Sequence, residues 1–526
     1  MTEERSPLAA QLWELLPAFC RERDESGDLR RLIDVQGDFL QSFHDLLRQL
    51  YRDRFPLPDA TPEDACQPWV LPYIAALLDV QLVSSDEAGR RAEVGRAVAW
   101  RQGKGSLRVL ADIARRLLGK PVVVGEGWRR VATVARVDAP RLPAAWYGEN
   151  RDYRASASPV FQSRHPGLAA AFVDVGLRQR TVRLAGAGED EAGSQTRPRE
   201  VPFHPHGVPC FPGSSQDLAP RTVDLRAPSG NAGQAHPRRV LIFTPPWDGH
   251  FPPDAPGVGW RQVLAGRADP ARIEVREETV TDGGGPRLRR YYRGLTDAPL
   301  RIRGVVEIHD AVELVFEHLR FDNRVEIGAA RVRFEGCAAR RVLVETSDRK
   351  QPVLVARNSL FDRVETPRGL LRLEYCTVLR ELVAEALQCS DSLLLPRPRK
   401  DRGDTDLPRE GCIRYSRVVA VPAAERVADG APSALRFGPG NTAVEPLFLS
   451  TRYGEPGCGV LHPGAADALR EGAEDGGEMG AYHGLRHVLR ETATLRKLRD
   501  FLPLGQRVAL IDDPALRCPA ARLKRD

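Results

Sequence analysis

The chain has 526 residues, 42% of them hydrophobic and 28% charged, so it divides into several domains with sizeable cores and is not disordered as a whole. Lys and Arg number 77 against 71 Asp and Glu, and the net charge of +6 is spread along the chain, which gives no basis for nucleic-acid binding. The nine cysteines (Cys20, Cys66, Cys210, Cys337, Cys376, Cys389, Cys412, Cys458 and Cys518) are odd in number, far apart and without a CxxC pair, as expected of reduced cytoplasmic thiols rather than a secreted disulfide framework.

The N-terminal run MTEERSPLAAQLWELLP lacks the basic-then-apolar pattern of a signal peptide, and no apolar stretch of about 18 residues predicts a membrane span. A short helix is expected over residues 8–16, interrupted by Pro17. After a charged turn containing Gly27, residues 29–51 carry Leu29, Ile33, Gln36, Leu40, Phe43, Leu47 and Leu50 at alternating spacings of four and three. That is a heptad-like seam on one long helix, on the order of 35 Å in length. Leu32, Val35, Phe39 and Leu46 form a second apolar line beside it, and so wide a face must be buried against other helices. Gln36 within the seam would fix register.

Residues 67–80, QPWVLPYIAALLDV, predict a small apolar helix opened by Pro72. A helix over 90–100 then meets a Gly103-Lys104-Gly105 turn, and a second helix runs from Ser106 as N-cap to Leu118, stopped by Gly119 and Pro121. From 139 to 299 helical periodicity fades into isolated strands and long Pro- and Gly-rich loops, which predicts an irregular β-rich domain. From 300 to 398 short strands follow one another, and the phrases VRFEGC, LVARNS, LRLEYC and EALQCS end alike in a small polar residue or Cys. Their uneven spacing fits the rungs of a right-handed β-helix, while an ordinary sandwich would use the same strands. Residues 399–526 predict a C-terminal α/β region with a Gly-rich acidic loop, a helix over about 490–501 and a last strand.

The fold class expected is therefore multidomain α+β. Residues 1–56 form N-terminal helices, 57–138 a helical domain, 139–299 an irregular β-rich domain, 300–398 a β-helix and 399–526 the α/β region.

Signals for chemistry are weak. Gly103-Lys104-Gly105-Ser106 lacks the strand and upstream Gly of a phosphate loop and is better read as a helix–helix turn. His204, His206 and Cys210 are too few for a zinc site. Glu474, Asp475 and Glu478 lack the alternation of a calcium loop. A β-helix can carry polysaccharide-cleaving carboxylates, and Asp362, Glu365 and Glu374 are available, but no pair stands out from a solvated strand face. No catalytic, cofactor-binding or metal-ligating residue is assigned, and the chain is expected not to be an enzyme.

Two groups of segments carry a resemblance. Leu15, Leu16, Pro17, Arg21 and Asp24, the long helix, Trp69 with Pro72, Tyr73 and Ile74, and Gly103 and Lys104 with Gly119 together resemble the phage tail protein I family. Ser106 stands where Thr is common there, Phe19 where Tyr is common, and Gln67 near a usual acidic residue. The C-terminal STRYGEPGCGVL and GAEDGGEMGAYHGLRHVLRETATLRKLRDFLPLG are similar to the ends of long, β-rich members from injection-system clusters, with Cys458 in place of an aromatic and Thr494 in place of Asn. The resemblance spans roughly residues 12–124 and 450–510. It implies a structural baseplate wedge subunit of a phage-tail-like contractile injection system. Its bundle helix would join a larger wedge protein, with hub or spike, sheath and neighbouring wedges as further partners. Trp69, Pro72, Tyr73, Trp100, Gly103 and Lys104 would orient that helix. Assembly would take place in a bacterial cytoplasm, without a membrane span. The competing reading is a β-helical carbohydrate-active enzyme, or an adhesin, with a helical oligomerisation segment.

Overall fold

The computed structural model describes residues 6–56, 66–127, 180–183, 200–203, 237–253, 255–282, 285–309, 313–328, 331–395, 408, 410–419, 434–463 and 465–512. It is a mixed helix-and-strand protein in which a few N-terminal helices precede a large curled sheet. Two compact units divide it, residues 1–117 and 118–526. No helix among the described residues is long and apolar enough to cross a membrane.

In the first unit, α1 (Pro7–Leu15) starts with Ser6 accepting from the Ala9 N–H at 3.3 Å and Pro7 at its first position, and Pro17 separates it from α2 (Ala18–Glu22). The long helix α3 (Asp28–Arg52) follows Gly27, whose φ of +72° turns the chain. The Asp24 carboxylate accepts from the Leu29 and Arg30 N–H groups at 3.1 and 2.8 Å, capping the exposed amides of the first turn. α1 packs on α3 where Gly37 meets Ala9, so closely that a Cβ at Gly37 would lie 2.2 Å from the Ala9 Cα. α4 (Leu71–Leu77) carries Pro72 in its first turn. The single helix expected over 90–100 is two, α5 (Glu87–Gly95) and α6 (Ala97–Gln102), interrupted after Gly95 at Arg96, whose φ of −106° and ψ of 0° loosen the turn. α7 (Leu107–Leu118) begins after Ser106, which accepts from the Val109 N–H, and ends before Gly119 at φ +68°.

Among its described residues the second unit holds three sheets. β1 (Val123–Glu126) lies antiparallel to a later strand, and β2 (Arg180–Arg183) pairs antiparallel with β3 (Glu200–Phe203). The partner of β1 is β4 (Arg239–Thr244), whose other side takes the last described strand, residues Arg507–Asp512, in parallel. The segments expected as separate domains over 139–299 and 399–526 thus share a sheet. Strands expected at 170–177 and 221–228 lie outside the described residues.

The large sheet begins well before residue 300. β5 (Gly257–Gly259), helix α8 (Trp260–Leu264) and the hairpin β6 (Ile273–Asp282) and β7 (Gly285–Gly294) precede β8 (Leu300–Arg303). Then come β9 (Val306–Ile308), β10 (Glu313–Glu317), β11 (Leu319–Ile327), β12 (Val332–Glu335), β13 (Ala338–Val344) and the long extended run β14 (Asp348–Ser390). β15 (Leu393–Leu394), β16 (Glu410–Arg414) and β17 (Ala434–Phe437) carry the pairing past 398. Apart from the β6–β7 hairpin, every pair in this sheet is parallel.

Registers stack like side chains. Tyr292 pairs with Phe316 and Phe316 with Phe334, and the three rings stack at 5.4 and 5.2 Å. Val306, Val325, Val342 and Val364 form another buried column. The chain turns between columns at one left-handed residue per turn, at His318, Gly336, Asn358, Tyr375, Asp391, Tyr415 and Gly440. After His318 comes Leu319, but the residue just after each of the other six turns is small and polar, and a ladder of hydrogen bonds follows. Leu319 N–H donates to Cys337 Sγ (3.5 Å), Cys337 N–H to Ser359 Oγ (3.1 Å), Cys376 N–H to Ser392 Oγ (3.0 Å), Ser392 N–H to Ser416 Oγ (3.1 Å) and Ser416 N–H to Asn441 Oδ1 (3.0 Å). These are buried amides that would otherwise lack a partner. The endings of VRFEGC, LVARNS and LRLEYC mark this ladder, but in EALQCS the true member is Ser392, two residues on. Cys389 is a core residue there, its thiol pushed up to about 11 by burial.

The C-terminal segment covers one outer side of the sheet. Leu360, Leu379, Leu393 and Leu395 pack against Phe448, Leu461, Met479 and Tyr482. The Tyr482 hydroxyl donates to the Cys458 carbonyl at 2.7 Å, Tyr453 donates to the Phe321 carbonyl at 2.7 Å, and Thr377 accepts from the Ala481 N–H. Short helix α9 (Asp467–Arg470), helix α10 (His487–Phe501) and strand β18 (Arg507–Asp512) are the remaining described elements.

Candidate assembly interface

The residues of the heptad-like seam sit on one continuous helix, and most of them face solvent. Leu40, Phe43, Leu47 and Leu50 are exposed, as is Gln36, while Leu29 and Ile33 are half-buried. The second line is no better covered, with Leu32, Val35, Phe39 and Leu46 all exposed and Phe39 reaching 70%. Among the described residues, Gly37, on which α1 sits, is the one residue of α3 that is buried. Hydrogen bonds along the exposed flank are local: Gln41 donates to Asp45 at 3.0 Å and Gln49 to Asp53 at 2.8 Å. The geometry is that of a rod with one narrow stripe occupied and the rest of its apolar face open. Scattered exposed apolar residues are ordinary, whereas a contiguous apolar face of this length marks an interaction surface.

The residues expected to orient the helix divide. Trp100 is buried, and its indole N–H donates to Asp112 at 2.9 Å. Burial pushes the Asp112 carboxyl up, but the bond from Trp100 and the neighbouring Arg116 outweigh it and hold the group below its usual value. Gly103 is half-buried against Val109, and Lys104 is exposed in the turn. Trp69 and Tyr73, by contrast, form an exposed edge-to-face pair at 6.1 Å, with Pro72 also exposed. Leu77, 86% exposed, continues their line one turn further along α4. This second apolar stripe went unrecognised as an exposed surface. Its signal was the spacing of four between Trp69, Tyr73 and Leu77 in a helix too short to bury both faces.

The carboxylates considered for catalysis do not converge. Asp362 lies 3.0 Å from Arg380, Glu365 2.8 Å from Arg341, and Glu374 within 2.6 Å of both Arg357 and Arg372. Such pairs are what a charged outer strand face makes when its columns are in register. Asp475 sits 3.1 Å from His483 Nε2 and Glu474 3.8 Å from Arg414, while Glu478 turns inward to His487. No group of three or more potential metal ligands occurs among the described residues, and His204, His206 and Cys210 lie outside them. Comparison with protein-family models, curated proteins and solved structures returns no match.

Proposed function

We propose that the chain is a structural subunit of a phage-tail-like contractile injection system, a baseplate wedge component that works through interfaces and performs no chemistry. The observation that carries this reading is the open apolar face of α3, with Leu32, Val35, Phe39, Phe43, Leu46 and Leu50 exposed on one 25-residue helix. Each such side chain contributes about 1.5–3 kcal/mol once buried, which is ample reason for the helix to seek partners. A helical bundle with a larger wedge protein is the arrangement proposed, Gln36 setting the register. Hub or spike, sheath and neighbouring wedges would be the further contacts, with assembly in a bacterial cytoplasm. The parallel pairing, the stacked columns and the left-handed turn residues support a right-handed β-helix as the outward-reaching part. Its ladder would make it stiff enough to transmit a movement between neighbours.

The experiment is affinity purification of the tagged full chain from its native bacterium, with mass spectrometry and negative-stain imaging of what comes with it. Sheath, spike and a larger wedge protein in tail-shaped particles are the expected result. A lone chain without tail components would overturn the reading.

A further inference from the structure

A carboxyl and an imidazole meet in the interior where the C-terminal segment closes. Glu478, from the Gly-rich loop, and His487, the first residue of α10, bring Oε2 and Nε2 to 3.2 Å, and each side chain is only 2% exposed. Among the described residues no hydrogen bond reaches either Glu478 oxygen or either His487 nitrogen, and their own contact is a close approach without hydrogen-bond alignment. The surroundings are charged. Lys120, Arg470 and Arg490 face His487; Glu491 and Arg470 face Glu478; and Asp512 of β18 faces Glu491. Glu491 itself accepts from the Trp247 indole at 3.1 Å and lies 3.5 Å from Arg470.

We propose that Glu478 and His487 together carry one titratable proton, as a neutral carboxyl beside a neutral imidazole, and that this pair is a pH-dependent latch for the C-terminal segment. Its 3.2 Å separation would also suit an ion pair, but two full charges without further hydrogen bonds are costly to bury. Burial drives Glu478 well above the usual carboxylate range and His487 down to about 3, and both shifts favour the uncharged forms. The three cations resist a second proton on the ring, and Glu491 resists a bare carboxylate at Glu478.

The sign follows from counting protons. Above the ordinary histidine value an opened segment holds no proton on these two groups, while the closed pair holds one, so the latch weakens as pH rises. Below the ordinary carboxylate value the opened segment holds two and the closed pair one, so the latch weakens again as pH falls. It is therefore tightest in mild acid, between the ordinary values of the two groups.

The test is amide hydrogen exchange of residues 487–501 in the full chain, wild type against Glu478→Gln, whose amide cannot lose a proton. Between pH 7 and 8.5 the exchange rate of wild type relative to the variant should rise about tenfold per pH unit, the signature of one proton released on opening. A ratio that stays flat or falls would overturn the latch. Should the variant not fold, NMR of the wild-type chain with labelled histidines decides. A His487 ring that stays neutral from pH 8 to about 4 agrees with the uncharged pair, and one that titrates near its ordinary value contradicts it.

Discussion

Helix α3 and the large parallel sheet are built from the same kinds of side chain and put them to opposite uses. In the sheet, Phe316, Phe334 and Leu354 point inward and are fully buried, and the outer charges pair along columns, as Arg324 does with Glu307 at 3.2 Å and Arg341 with Glu365 at 2.8 Å. In α3, Phe39, Phe43 and Leu47 lie open, and α1 covers only the strip around Gly37. One region buries its apolar side chains, while the other leaves them open. Periodicity tells which way an apolar side chain points, and only the rest of the fold tells whether anything is there.

The contrast can be broken at graded cost. Phe334→Ala should destabilise the second unit by about 3–5 kcal/mol, since it removes a ring stacked between Phe316 and the Phe361 edge; chemical denaturation of the full chain measures it. Ser392→Ala removes the acceptor for the buried Cys376 N–H and should cost about 1–3 kcal/mol by the same measurement. Ser392→Cys, which keeps an acceptor, should cost less. Gly37→Val forces a branched side chain into Ala9 and should prise α1 from α3 at about 1–3 kcal/mol, read as faster amide exchange over residues 7–15. Phe39→Ala should change the stability of the isolated chain by no more than about 0.5 kcal/mol, yet weaken its capture of partners in the purification described above. A large loss of stability from Phe39→Ala would place that face inside the chain's own fold and erase the comparison.

Much of the helical region was legible because Pro and Gly punctuate it. Pro17, Gly27, Pro72, Ser106 and Gly119 stand where helices start or stop. Gly95 was the exception, a helix breaker hidden inside an apolar periodic run. The ladder showed through as recurring phrase endings because every turn after the first pairs a left-handed residue with a small acceptor. Its register slipped at Ser390 because Cys389, Ser390 and Ser392 are all small and only the bond from Cys376 singles one out. The β6–β7 hairpin was missed because EVREETVTD alternates with too few apolar residues to stand out. No local signal could have paired β18 with β4, which lie at distant points of the chain. The Glu478–His487 contact likewise depends on how the acidic loop folds back onto α10, and its acidic residues gave the look of a surface loop.

On the proposed reading, helices of other subunits cover the open face of α3. A photo-crosslinking amino acid at position 43 of the full chain, activated in the native bacterium, would capture them. Crosslinks are expected from position 43 to a helical segment of a larger tail-associated protein, lost when Phe39 and Leu47 are both changed to Asp. Crosslinks confined to the chain itself, or none, would contradict that reading.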